Sequence, residues 1–304
     1  MRIRMIDSKI QCLANRLGYS ITRVTRVDPD LSLYDGVPAE SLSQHHFYNI
    51  GAGLFLHPYW TNIDYGTPWY SVAQRHPFIN YNLMDLVPLP VKSNVAEIVY
   101  SSHTIEHVSD EAVRNMLREA HRILKPGGYI RLTTPDMALE CGAYKRGDRR
   151  FYYWIPAYSR QGCWERFCKI PLSEATIHQV FLSHFATPLS EISVDDSPDK
   201  KFSDTEIKEI FSTYPMEKAL DYFTQRCRYN PILPGSHINW WTENKLVAFL
   251  KEAGFSECYR SGYGQSKAPP LRDISLFDKT HPKISLYIEA IKNTPAVGGH
   301  SSLE

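Results

Sequence analysis

The sequence predicts an α/β fold built on a mostly parallel sheet, and two stretches predict it. Residues 96–136 read AEIVYSSHTIEHVSDEAVRNMLREAHRILKPGGYIRLTTPD. An apolar run (Ile98, Val99, Tyr100) ends in a small polar cluster, Ser101, Ser102 and His103. A helix-period segment follows, then a glycine turn and a second apolar run. Upstream, Tyr48-Asn49-Ile50-Gly51-Ala52-Gly53 is a strand end entering another glycine turn. Alternating strands and helices build parallel sheets. Right-handed crossovers bring the strand C-termini, and with them the ligand, to one edge.

Each element has its own signal. Residues 5–17 place Ile6, Ile10, Leu13 and Leu17 at helical spacing. A polar, proline-containing connector runs to about residue 44. Short strands are predicted at residues 46–50, 61–64, 78–82, 98–101 and 129–133. Between the last two, Asp110 is positioned to cap a helix whose apolar face is Val113, Met116, Leu117, Ala120 and Leu124. Lys125-Pro126-Gly127-Gly128 stops that helix and turns the chain. Residues 137–236 change character: rich in Tyr, Trp, Phe and His, with helical pieces at 203–211 and 216–226, they read as an insertion covering the sheet edge, or as a separate small helical domain. Thr242 then opens a helix ending at Gly254. Residues 255–260 and 284–292 read as the closing strands.

Bulk properties exclude several classes. Lys+Arg total 34 against 33 Asp+Glu, so charge does not point to nucleic acid. No apolar stretch reaches about 18 residues, so no transmembrane helix is expected. The charged N-terminus lacks the apolar core of a signal peptide. Six cysteines at 12, 141, 163, 168, 227 and 258 form no CxxC pair, which fits reduced thiols in the cytoplasm. Cys163, Cys168 and His178 match no standard zinc spacing.

The glycine turn alone is ambiguous, because many nucleotide-binding enzymes bring bare backbone against a ligand. The next acidic residue discriminates. In nicotinamide-binding units the ribose carboxylate follows the glycines by about 20 residues. Here Asp64 follows Gly53 by only eleven, led by Trp60-Thr61-Asn62-Ile63.

These motifs, with Asp85-Leu86-Val87-Pro88-Leu89-Pro90 and Lys125-Pro126-Gly127-Gly128, resemble class I S-adenosylmethionine (SAM) dependent methyltransferases of the type 11 kind. The resemblance covers residues 46–136 closely and 237–292 loosely. It implies a Rossmann-like, seven-stranded, mostly parallel sheet with a helical insertion after the fifth strand. The implied organisation is an N-terminal helical extension (1–45), a SAM-binding core (46–136), a substrate cap (137–236), a C-terminal completion of the sheet (237–295) and a flexible tail (296–304).

By the same resemblance Gly51 and Gly53 approach the amino acid and ribose of SAM. Asn49 stands where many relatives carry an acid, at the methionine amino end. Asp64 accepts the ribose hydroxyls, Met84 and Asp85 read adenine, and Ser101 and Ser102 lie beside the transferred methyl. His103 is the first candidate base, and His237, at the return from the insertion, the second. Tyr152, Tyr153, Trp154, His178 and His184 are available to line an acceptor pocket. His103, Glu106 and His107 have the i, i+3, i+4 spacing of a metal-binding Glu-x-x-Glu-His motif in quinone-biosynthesis O-methyltransferases, with His103 replacing the first Glu. Either a divalent metal acidifies an acceptor hydroxyl there, or Glu106 and His107 only orient the loop.

The expected activity is methyl transfer to a small-molecule or glycan acceptor, on a hydroxyl; the segment LANRLGYSITRV resembles leaders of surface-glycan enzymes. N-methylation of an amine or secondary metabolite, an NAD-dependent oxidoreductase and a non-catalytic SAM-binding protein remain open alternatives. A homodimer is compatible with all of them.

Overall fold

A computed structural model describes residues 28–70, 76–155, 168–197 and 200–294. The helix expected over 5–17, the leader-like segment, Cys12, Cys163 and the tail lie outside the described residues. Seven strands form one sheet: β1 (Phe47–Ile50), β2 (Trp60–Asp64), β3 (Ile79–Asn80), β4 (Ala96–Ser102), β5 (Leu124–Pro135), β6 (Glu257–Arg260) and β7 (Ser285–Ile291). Their spatial order is β3-β2-β1-β4-β5-β7-β6. All neighbouring pairs from β3 to β5 run parallel, whereas β7 runs antiparallel to both β5 and β6. This is the Rossmann-like, mostly parallel α/β sheet that the motifs implied. The third strand is shorter than expected, only Ile79 and Asn80 pairing with Ile63 and Asp64.

The parallel strands bury both faces, so their sequences read as continuous apolar runs rather than alternating ones. One face (Tyr48, Ile50, Val99, Ile130, Leu132) packs under α2 (Asp110–Ile123) and α7 (Glu243–Glu252). The apolar face of α2, from Val113 through Ala120, is inaccessible to solvent. Its N-cap is Ser109, whose Oγ accepts from Ala112 N at 3.3 Å. Asp110, the expected cap, stands one residue on and accepts from Lys245 Nζ at 2.9 Å. Thr242 caps α7 as expected. The other face of the sheet carries an aromatic cluster of Tyr34, Phe47, Trp60, Tyr100 and Phe277. A short helix α1 (Ala39–Ser43) precedes β1.

Lys125-Pro126-Gly127-Gly128 was expected as a turn between helix and strand; it lies within β5 as a wide bulge. The β4–β5 register jumps from Ala96↔Leu124 to Ile98↔Tyr129 across it. Two bonds to the end of β7 hold it flat: Gly127 N donates to Lys292 O at 2.7 Å, and Lys292 N donates to Gly128 O at 3.0 Å. Gly127 has φ +80°, and a Cβ at Gly128 would meet Glu97 O and Lys125 O at 3.0 Å. Both glycines are therefore required by backbone geometry.

Between β5 and α7 the chain forms α3 (Met137–Lys145), α4 (Ile177–Ser183), α5 (Asp204–Thr213) and α6 (Met216–Thr224). They enclose a second apolar cluster around Phe181, Phe185, Leu220 and Phe223, joined by Trp240 and Ile284. No described helix is long and apolar enough to cross a membrane.

A buried Arg131 fastens the antiparallel end of the sheet. Its guanidinium reaches Asp278 at 2.5 Å and Glu289 at 2.7 Å, with all three side chains inaccessible to solvent. It also donates to Ser261 Oγ and Gly262 O. Truncating one partner of such a group leaves uncompensated buried charge. Arg131→Ala is expected to cost about 3–5 kcal/mol, read as a lowered urea midpoint. A loss within about 0.5 kcal/mol, the range of neutral surface changes, would refute this role.

Candidate active site

A cavity of about 490 Å³ opens at the C-terminal ends of β1, β2 and β4. That volume is in the range of small-molecule and cofactor sites. Its wall is built from Gly51 and Gly53 after β1, Asp64 ending β2, Asn82 and Leu83 after β3, and His103 and His107 after β4.

Asp64 organises the cofactor side. Its Oδ2 accepts from Gly53 N at 2.8 Å and its Oδ1 from Tyr65 N at 2.7 Å. Each oxygen keeps a lone pair for a further donor. Burial raises the Asp64 pKa, against the pull of those two backbone hydrogen bonds. Gly51 has φ +73°, and a Cβ there would lie 2.1 Å from Thr104 Oγ1. Gly53 has φ +54° and open space where a Cβ would stand. The glycines thus leave bare backbone along a cavity that ends in a carboxylate with lone pairs to spare, a lining that fits the paired hydroxyls of a ribose.

Other expected cofactor contacts lie elsewhere. Asp85 is exposed, its carboxylate accepting from Asn82 Nδ2 at 2.9 Å. Met84 packs against the sheet core. Neither lines the cavity; Asn82 and Leu83, their immediate neighbours, do. The reason is the turn after Asn82, whose Oδ1 accepts from Met84 N at 3.0 Å and redirects the chain. Asn49 and Ser101 are buried beside the cavity rather than in its wall, and Asn49 Oδ1 and Ser101 Oγ lack a hydrogen-bond partner. Ser102 pairs with Thr133, Oγ to Oγ1 at 2.8 Å. Thr104, Tyr65, Trp69, Tyr70 and Tyr229 join the wall without a distinctive sequence signal. Tyr229, Pro234 and Gly235 come from far along the chain, so periodicity could not place them.

The segment after β4 brings two histidines to the cavity wall. His103 adopts φ +49°, a left-handed conformation that costs a non-glycine residue energy. That twist, with His103 N donating to Thr133 O at 2.8 Å, presents the ring to the cavity. Its Nε2 lies 2.8 Å from Ser285 Oγ and its Nδ1 3.1 Å from Glu106 Oε1. Burial alone would raise the Glu106 carboxyl; the His103 hydrogen bond and the charges of nearby histidines pull it down to about 2. Glu106 is therefore ionised. His103 Nδ1 faces that carboxylate, and a proton on Nδ1 leaves the lone pair of the ring on Nε2.

His107 also lines the cavity, its Nδ1 3.2 Å from Ser236 O. His237 does not line it. Its ring packs edge-on against His107 with centroids 4.6 Å apart, and its Nδ1 lies 2.6 Å from His184 O. His184 in turn holds Glu140 at 2.5 Å and stacks on Trp154. Tyr152 packs in the same apolar region, whereas His178 bonds Tyr144 and Tyr153 is exposed. Burial lowers the pKa of His107 and takes His237 well below the usual imidazole value. Burial, with His103 and His184 nearby, pushes His281 down to about 3.

Sheet order, glycine turn and the carboxylate ending β2 are arranged as in class I, SAM-dependent methyltransferases. Residues 51–132 match the family model of the methyltransferase domain. No curated protein matches. Among solved structures, a SAM-dependent methyltransferase from Thermotoga maritima is 14% identical, with 81% of this chain and 82% of that one aligned and a TM-score of 0.35. One from Mesorhizobium loti is 13% identical, covering 81% and 90%, with a TM-score of 0.35. An O-methyltransferase family protein from Burkholderia thailandensis is 11% identical; the match covers 82% of this chain but 51% of that one, with a TM-score of 0.36. Likenesses this distant say nothing about the acceptor.

The buried neutral histidines set the acid limit of stability. In the unfolded chain each titrates near 6.5, while in the fold His237 and His281 protonate only at much lower pH. The unfolded state then binds more protons below 6.5, so stability is full above that pH and falls beneath it. The loss is roughly 1 kcal/mol per such histidine one pH unit lower. Glu106 adds a second loss only between 4.5 and about 2. Urea midpoints at pH 7.5, 6.5 and 5.5 should be level across the first step and drop across the second; a level profile throughout would refute the buried-neutral assignment.

Proposed function

We propose that this methyltransferase acts on a hydroxyl of a small-molecule or glycan acceptor, with His103 as the base. The observation that carries the reading is the His103 ring at the cavity wall, its Nδ1 anchored by an ionised, buried Glu106. An ionised carboxylate behind Nδ1 strengthens Nε2 as a proton acceptor. Ser285 Oγ covers Nε2 and has alternative acceptors in His281 O at 2.9 Å and Thr280 O at 3.2 Å. Rotating onto either carbonyl frees Nε2 for an acceptor hydroxyl.

SAM, once bound, supplies a methyl group on a positively charged sulfur. Asp64 holds the ribose hydroxyls, and Gly51 and Gly53 admit the backbone close to the cofactor. His103 takes the hydroxyl proton as the acceptor oxygen forms the new C–O bond; the C–S electron pair stays on sulfur. Alignment of donor and acceptor in the cavity supplies most of the acceleration, because the donor is already activated. Tyr229, Pro234 and Gly235 contribute a wall from the segment before α7, which supports a cap role for residues 137–236. Asn49 and Ser101, buried with unsatisfied oxygens near the strand ends, are the residues we place behind the methionine end. The four described cysteines are all free thiols, which supports a cytoplasmic protein.

Calorimetry with SAM and NAD in parallel tests the cofactor. SAM should bind and NAD should not, and Asp64→Ala should weaken SAM binding at least about tenfold, or 1.4 kcal/mol; unchanged affinity would overturn the ribose role. For the base, His103→Ala should keep SAM affinity within about threefold while turnover on a panel of hydroxylated acceptors falls about a hundredfold or more. Retained turnover sinks His103 as the base.

A further inference from the structure

We propose that Glu106, His107 and His237 form a binding site for a divalent transition-metal ion at the cavity wall. One ligand atom from each lies within 4.8 Å of the others. The hydrogen bonds fix the tautomers. His107 Nδ1 lies 3.2 Å from Ser236 O and His237 Nδ1 lies 2.6 Å from His184 O. A carbonyl oxygen only accepts, so both Nδ1 atoms carry the proton and both Nε2 atoms keep a lone pair. That is the arrangement of ligating histidines, whose outer N–H is anchored by a carbonyl or carboxylate. Glu106 completes the set. Its Oε2 accepts from Thr134 Oγ1 at 3.2 Å and its Oε1 faces His103 Nδ1 at 3.1 Å, and each carboxylate oxygen keeps a further lone pair.

This set differs from the trio suggested by sequence spacing. His103 is adjacent, but its ring nitrogens are engaged by Ser285 and Glu106. His237 replaces it from 130 residues along the chain, brought close because Ile238 N and Asn239 N both donate to Glu106 O at 2.9 and 3.1 Å. Bonds of about 2.0–2.2 Å to a tetrahedral ion need ligand atoms somewhat closer together than the upper limit here, so a modest contraction closes the site. Two imidazoles and a carboxylate suit zinc, cobalt(II) or iron(II) rather than magnesium or calcium. Three protein ligands leave a coordination position for a further oxygen. Of the three, His107 lines the cavity, which puts the site at the cavity's edge. The role we give the ion rests on the hydroxyl-methylation reading: it lowers the pKa of the acceptor hydroxyl whose proton His103 takes. The binding site itself does not depend on that reading.

The test is metal binding by the full chain stripped with chelator, read without any acceptor. Cobalt(II) should bind one equivalent, with visible d–d absorption that zinc abolishes. His237→Ala and Glu106→Gln should each weaken binding at least about tenfold, while His103→Asn stays within about threefold. Calorimetric SAM affinity reports whether each variant is folded. X-ray absorption of the zinc-loaded wild-type protein, which needs no variant, should show two imidazoles in the first shell. Absence of saturable cobalt binding, an absorption spectrum without imidazole, or affinity unchanged in His237→Ala overturns the site. SAM binding and methyl transfer that persist without metal would leave the methyltransferase reading intact and remove only the ion.

Discussion

The active-site region depends on Glu106, a carboxylate 1% exposed with contacts in three directions. Its side chain holds His103 and Thr134. Its backbone oxygen receives both Ile238 N and Asn239 N, pinning the returning chain beneath the end of β4. Burying a charge is costly unless it is hydrogen-bonded and paired. That cost makes the arrangement specific: the ends of β4 and β5 and the approach to α7 must meet at one point. The neutral rings of His107 and His237 then pack against each other beside it.

A second constraint acts at the cofactor edge. Asp64 accepts from Gly53 N and Tyr65 N, so the carboxylate facing the cavity also closes the turn after β1 onto the end of β2. Binding chemistry and local fold are therefore coupled there. At the opposite end of the sheet, Arg131 ties β5 to β7 and to the loop carrying Asp278 through buried ion pairs. The cavity lies between these fixed ends, at the C-terminal edge where parallel strands with right-handed crossovers expose their loops.

Much of this was legible in the sequence. Local patterns placed α2, α7 and the strands to within a few residues, because apolar period and caps are short-range signals. The short interval from Gly53 to Asp64 leaves no room for a crossover helix, and Asp64 does face the cavity beside Gly53. Two readings shifted for structural reasons. Lys125 to Gly128 became a bulge in β5 because β7, far along the chain, supplies hydrogen bonds to it. Met84 and Asp85 moved out of the wall because the Asn82 turn brings Asn82 and Leu83 into it instead.

By itself the sequence determined the α/β class and placed Gly51, Gly53, Asp64 and His103 at one edge of the sheet, because those signals sit within runs of a few residues. Tertiary structure alone decided the environment of the histidines. His103 and His107 share one segment while His184, His237 and His281 come from three others, and what each can do depends on hydrogen bonds and burial. Which nitrogen carries a proton, and which ring reaches the cavity, follows from partners such as Ser285 O–H and the Ser236 and His184 carbonyls. Those contacts span 53 to 182 residues of chain, a range over which sequence spacing carries no geometric information.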